Sequence, residues 1–427
     1  MRQTIITKRR TRRSPAGNAG SVGTTLACLL TFARAAEAQQ VIAPPAEVPV
    51  IPPAQQQFQT NGVGYIAAVE TPAPEMPPLQ WGPVDLHPHA DYHVSYGDGI
   101  QSSPGHGIKT VINEISPGML FNAGRHWSLD YTPTWRFYSS KLLQNTLDHN
   151  VRLAGWAAYE DWVFGLSQGY TTSSAPLVET GIQTFQEAYA TAITASYRFN
   201  SKVSVDLAVN QNFVSAQSFQ SFREWSTLDW VNYQFWPRLN LAFGAGVGHV
   251  NLDVGTDMTY ESYHGRISWR ATEKVSLEAN VGLEDRQFLG AGVPDLVSPI
   301  FGFSLVYQPV EVTTFTLTAS RAVSASYFQN LVTKNTGVSA GLSQRLFKKF
   351  YLGLNGSYAN ASYIATARNA IFPGRSDDFY SFSARLSHII LKRGSVALTY
   401  QYNDNSSSQA GYSFASNQIG LELSYKY

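Results

Sequence analysis

The chain has 427 residues and a formal net charge of +1; 44% of its residues are hydrophobic, 13% aromatic and 14% charged. Charged residues fall well below the roughly 25% usual in a soluble globular protein, so much of the surface is expected to face something other than water. No run of 18 or more uninterrupted apolar residues follows the N-terminus, which argues against a helical membrane protein.

Residues 1–38 read as a signal peptide. Lys8, Arg9, Arg10, Arg12 and Arg13 give a basic start, Val22 to Phe32 an apolar core, and Ala36-Glu37-Ala38 a small-x-small cleavage site. A lipoprotein signal ending at Cys28 is disfavoured, because Thr25 is a poor residue three positions before it and Leu29-Leu30 continue the apolar core. Cys28 is the sole cysteine, so the processed chain would carry neither disulfides nor thiol chemistry. Removing residues 1–38 takes away seven Lys/Arg and one Glu and leaves 24 basic against 29 acidic residues, with no footprint for nucleic acid.

Residues 39–80 hold nine of the 21 prolines, in runs such as Ala43-Pro44-Pro45 and Met76-Pro77-Pro78. They are expected to form an extended periplasmic linker, or a partial plug if the apolar stretch Val63 to Val69 enters the lumen.

From residue 84 to 427 the pattern is a meander of amphipathic strands. Trp127, Leu129, Tyr131, Trp135 and Phe137 alternate with Ser128, Asp130, Thr132, Thr134 and Arg136. Val203 to Asn210 and Val275 to Glu284 repeat the alternation, and a shift by one residue would turn carboxylates into lipid. Arg321 breaks the apolar parity of its strand and is placed at the outer rim.

Eight tight turns are expected, at Asn122 to His126, Glu160-Asp161, Asn200 to Lys202, Trp236 to Arg238, Ala271 to Lys274, Gln308 to Thr313, Phe347 to Lys349 and Lys392 to Gly394. Looser connections fall at Gly97 to Gly107, Tyr170 to Gln183, Arg286 to Asp295, Ala361 to Asp378 and Asn403 to Tyr412. Short turns on one side and longer loops on the other predict an all-β fold: a transmembrane antiparallel up-and-down β-barrel of about 18 strands, with 16 as the alternative. No connection looks long enough to fold inward and narrow the pore.

A barrel of that size leaves an aqueous lumen. The inward parity carries Arg136, Arg152, Arg198, Arg266, Arg270, Arg345 and Arg385 against Asp130, Asp206, Glu278, Glu284 and Glu422. Neither sign dominates, so strong ion selectivity is not expected. Trp156 and Trp230 share that parity; they could stack on a sugar ring or pack against loops or the N-terminal segment. Asp85, His87, His89, Asp91 and His93 share one face of the first strand, where a solvated polar face is favoured over a metal site. No phosphate loop, Gly-x-Ser-x-Gly elbow or His-Glu-x-x-His motif points to an enzyme or a cofactor.

At the C-terminus Ile419, Leu421, Leu423, Tyr425 and Tyr427 alternate with Gly420, Glu422, Ser424 and Lys426. Gln418, Gly420, Leu423, Tyr425 and Tyr427 resemble the outer-membrane assembly signal of Gram-negative barrels, which implies folding by the barrel assembly machinery. Tyr92 to Tyr96 with Gly97-Asp98, then Ile115-Ser116-Pro117-Gly118, then Trp127 to Tyr138 resemble the opening of the putative beta-barrel porin 2 family, over about residue 84 to the C-terminus.

That resemblance implies a barrel in the bacterial outer membrane without catalytic residues. The expected function is a porin-like channel passing small hydrophilic solutes passively. Alternatives are the exit barrel of an exopolysaccharide secretion system, or a structural or adhesive barrel with a plugged lumen. Expected partners are outer-membrane lipid, the assembly machinery and a periplasmic partner of residues 39–80; the oligomeric state is left open.

Overall fold

The computed structural model describes residues 79–427 except 291, 369 and 371. The expected signal peptide and all but the end of the proline-rich segment lie outside the described residues. Leu79 and Gln80, the last of that segment, open a short strand, β1 (Leu79–Trp81).

Eighteen longer strands follow: β2 (Val84–Ser103), β3 (His106–Ala123), β4 (Trp127–Tyr138), β5 (Thr146–Tyr159), β6 (Trp162–Ser173), β7 (Gln186–Arg198), β8 (Val203–Ala216), β9 (Phe222–Trp236), β10 (Leu239–Leu252), β11 (Met258–Trp269), β12 (Val275–Phe288), β13 (Leu296–Val310), β14 (Thr313–Ala325), β15 (Leu331–Leu346), β16 (Phe350–Ala365), β17 (Ser376–Ile389), β18 (Gly394–Ser407) and β19 (Phe414–Lys426). Each pairs antiparallel with the next, and β19 returns to β2 from Asn417↔Asp98 to Lys426↔His89. The sheet therefore closes into an 18-stranded antiparallel barrel, the architecture that satisfies every backbone group without water. β1 pairs with the first residues of β2 (Leu79↔Leu86 to Trp81↔Val84), which β19 is too short to reach, and so covers what would be a bare strand edge.

Side-chain facing follows the alternation. Trp225, Val231, Tyr233 and Phe235 of β9 are about half exposed on the outer wall, whereas Trp230 and Asn232 are buried inside. Trp225 and Phe235 lie ten residues apart on one strand. With a rise of about 3.3 Å per residue and a tilt of about 40°, they are separated by roughly 25 Å along the barrel axis, the height of a hydrocarbon band with its two aromatic girdles. Neighbouring strands reinforce both rows: Tyr170 with Tyr189 and Tyr358 with Tyr380 on one side, Trp162 with Tyr197 and Tyr307 with Phe315 on the other.

The eight tight turns fall where the sequence places them. Strands run further on the other side than expected. Gly97 to Ser103 remain in β2 through two register shifts, Arg286 lies within β12, and β18 continues to Ser407. Above the lipid both faces of the wall are polar, so the alternation that marks a strand fades while the hydrogen-bond ladder continues.

Candidate functional site

The inner wall carries two lattices of charged and polar side chains. The first is built on β2 to β5 and β17 to β19. Arg136 on β4 stands opposite Glu114 on β3, to which its Nε donates, and its Nη1 donates to Asp148 Oδ2 on β5 at 2.8 Å. Glu114 also meets His93 Nδ1 at 3.2 Å, and the other ring nitrogen of His93 lies 3.3 Å from Thr399 Oγ1 on β18. Arg385 on β17 reaches over β18 to grip Glu422 on β19 with both Nη2 (2.8 Å) and Nε (3.3 Å). His93 is the cross-strand partner of Glu422, so the lattice runs without a gap from β5 to β17.

Gly420 makes this crossing possible. A methyl group there would sit 2.5 Å from His93 Nε2 and 2.8 Å from Thr399 Oγ1. The glycine of the C-terminal assembly pattern thus leaves space for a lumen contact as well.

The second lattice faces the first from β8 to β12. Asn232 on β9 donates to Asp206 on β8 at 2.7 Å and accepts from Arg266 on β11 at 2.9 Å. Arg266 spans β10 at Ala242, the register partner of both Arg266 and Asn232; two residues along, inward Gly244 offers no side chain and the ring of Trp230 occupies that space. The guanidinium of Arg266 lies 4.2 Å from the Trp230 ring, and Trp230 is 4% exposed. Trp230 is a packed member of the wall, and its ring is not open to a passing solute.

The remaining sequence candidates are dispersed along the lower lumen. Asp130 and Glu278 are half-buried, and Asp130 sits 3.9 Å from His89. Arg152 is exposed in the middle of β5, Arg345 is exposed beside the tight turn that ends β15, and Arg270 lies just past the end of β11 in a tight turn. Trp156 packs edge-on against His126 of the β3–β4 turn at 4.0 Å, which is the loop-packing alternative. Gln418 and Gly420 point inward, whereas Leu423 and Tyr425 are exposed on the lipid face. Tyr427 stacks under Arg393. Among the described residues no group of three His, Cys, Asp or Glu is placed to hold a metal ion.

One expectation is overturned: a loop does fold into the barrel. Residues 174–185 between β6 and β7 form a small hairpin with a Pro176↔Gln183 bridge and a turn at Gly181, whose φ is +70°. Length is not required, because this hairpin holds itself together and carries apolar residues at its tip. Leu177 is buried in one apolar cluster with Val250, Met258 and Tyr260 of the wall, and Val178 in another with Ala359 and Phe379. Burying each contributes about 2 kcal/mol. The loop therefore bridges the outer mouth.

Two further segments meet it there. The tip between β14 and β15 places Ser326 Oγ and the Tyr327 N–H on Glu179 Oε1, at 2.5 and 2.9 Å. Arg375, from the connection between β16 and β17, donates to the Glu179 carbonyl oxygen at 2.9 Å, pairs with Asp377 through Nε at 2.9 Å, and lies 3.9 Å from the Tyr412 ring. Phe328, Phe219, Phe372 and Tyr412 form an aromatic cluster beside it. Burial pushes the Glu179 carboxyl above its ordinary range, although Ser326 and Arg375 pull the other way. Glu179, Arg286 and Arg375 lie in stretches that read as loops, so sequence parity gave no sign of them.

The C-terminal part of the barrel, residues 259–427, matches the family model described as Putative beta-barrel porin 2. This is narrower than the span from about residue 84, and the opening motifs lie outside it. No curated protein matches the chain. Similar solved structures include the outer membrane protein OpdK of Pseudomonas aeruginosa, at 14% identity and a TM-score of 0.44, covering 80% of this chain and 98% of that one. OccK2 (OpdF) of the same organism gives 11% identity and a TM-score of 0.45, with 80% and 98% coverage. OccAB3 of Acinetobacter baumannii gives 11% and 0.42, with 80% and 100% coverage. The matched residues span the last nine strands of the closed barrel, and the lipid-facing girdles complete the picture: the chain is a porin-like barrel of the bacterial outer membrane whose residues 259–427 carry the putative beta-barrel porin 2 pattern.

Proposed function

We propose that the barrel is a non-enzymatic channel through which small hydrophilic solutes diffuse passively. The observation that supports this most is the inner wall itself: two polar lattices face each other across the lumen, and in each the cations are paired with carboxylates, two arginines against three carboxylates in the first and one against one in the second. Arg136 is offset by Glu114 and Asp148, Arg385 by Glu422, and Arg266 by Asp206. Such a wall wets readily and offers no deep well of one sign, which suits weakly selective passage of neutral and singly charged solutes.

The test is swelling of proteoliposomes in a series of sugars and amino acids of increasing size. Swelling that slows smoothly with solute size and differs little between cations and anions is expected. Swelling in no solute would refute passive conduction. A closed barrel whose outer loops do the work is the second reading, favoured by the interlock of residues 174–185 with the β14–β15 tip.

A further inference from the structure

The ladder between β13 and β14 ends at Phe301↔Arg321, yet neither strand ends there. β13 continues to Leu296 on its other neighbour β12, and β14 continues to Ala325 on β15. Among the described residues no strand pairs with Leu296 to Ile300 on the β14 side. Pro299, two residues beyond the last rung, has no N–H for a ladder.

Above Arg321 the β14–β15 hairpin leans into the mouth. Val323, Ala325 and Val332 are buried against Met258, Tyr260 and Phe288, although they share parity with the outward Phe315, Leu317 and Val338. Arg286, itself 2% exposed, donates to the Val323 carbonyl oxygen at 3.2 Å, a group that would face β13 if the ladder continued. Further in, Tyr327 donates from its hydroxyl to Gln186 on β7, and its carbonyl accepts from the Gln220 N–H at 2.9 Å.

We infer that the outer end of the β14–β15 hairpin, residues 322–332, is a gate with two seats: the observed one inside the mouth, and an open one in which β14 rejoins the bare edge of β13. Continuing the register sets Pro299 opposite Val323, where its carbonyl oxygen can accept from the Val323 N–H but returns no N–H, Ser298 opposite Ser324 and Val297 opposite Ala325, so the open seat forms one ladder bond fewer and stays the weaker of the two. Outward parity for Val323, Ala325 and Val332 is the pattern the open seat needs, whereas Tyr327 and the Arg286 contact serve the closed one. Arg321, whose Nε donates to Thr336 Oγ1 at 2.8 Å beside Phe301, holds the last shared rung and marks the hinge. Such a gate gives the barrel a closed resting state opened by a hairpin movement alone. It rests on the channel reading above.

Engineered disulfides separate the seats. In a Cys28→Ser background, Ser298→Cys with Ser324→Cys can bond only when β14 lies on β13. Gln220→Cys with Tyr327→Cys can bond only when the tip is inside, where the observed backbone bond sets the Cα atoms roughly 5–6 Å apart. Both pairs are oxidised in native outer membranes, with disulfides mapped by mass spectrometry and folding checked by heat-modifiable gel mobility. Currents are then recorded in planar bilayers. Both pairs are expected to cross-link; the first lock should give steady current, the second a current about tenfold lower that dithiothreitol restores. A folded Ser298→Cys/Ser324→Cys barrel that never cross-links, or equal non-zero currents from both locks, overturns the gate. Silence from both locks with both disulfides formed would overturn the channel reading and leave the two-seat movement standing.

Discussion

Arg136 holds the first lattice together because it bridges two carboxylates that are themselves mostly buried. Replacing it by methionine leaves Glu114 and Asp148 without their partner, a change that costs about 3–5 kcal/mol when the remaining charges stay buried. Arg136→Met is therefore expected to unfold in urea from lipid vesicles at clearly lower concentration, whereas Arg345→Met, at an exposed position, should unfold like the parent. Gly420→Ala should behave like Arg136→Met for another reason: its methyl group meets His93, Thr399 and the Val94 carbonyl oxygen at once. Slower appearance of the folded gel band is the readout. In the sequence, the inward parity already brought out Arg136, Arg266 and Arg385. Their partners depend on cross-strand register, which alternation alone does not fix, and Arg385 reaches past an intervening strand to find Glu422.

The hairpin at 174–185 and the β14–β15 tip meet through Glu179, which makes their docking sensitive to pH. Ser326, Tyr327, Arg375, Asp377, Tyr363 and Tyr412 surround this carboxyl. Burial raises its pKa in the docked form, while an undocked Glu179 in water would titrate near its ordinary value of about 4.3. Docking is therefore fully supported below that value and loses stability as pH climbs through the raised one. Channel current is expected to rise from about pH 4 toward neutrality, and Glu179→Gln, which mimics the protonated group, should flatten the profile at its low-pH level. A parent profile that falls with increasing pH would contradict the assignment. The strands below this closure were legible in the sequence because lipid on one side and water on the other impose period two. The closure was not, because its residues pack loop against loop, where no period exists, and Leu177 and Val178 look like any short apolar pair.

The 18-stranded barrel follows from the eight tight turns, each joining a pair of strands, with one further strand before the first pair and one after the last. That count depended on hydrophobic alternation and turn chemistry, both local, and so survived without any knowledge of tertiary contacts. Openness of the lumen is a property of the whole: it depends on how segments from β6–β7, β14–β15 and β16–β17 meet over the mouth, and the expectation that no connection folds inward failed there. Lattices in which cations and carboxylates nearly offset each other predict a reversal potential close to zero in a tenfold salt gradient, and a strongly cation- or anion-selective value would refute that pairing.

On the proposal above, this outer-membrane barrel is a channel closed by its own outer segments. Single-channel recording tests it most directly, with the full chain compared against a variant in which residues 175–183 are replaced by a short Gly-Ser turn. Small, intermittent currents are expected from the parent and steady currents several-fold larger from the variant. Equal currents would show that the hairpin closes nothing, and silence in both would contradict conduction altogether.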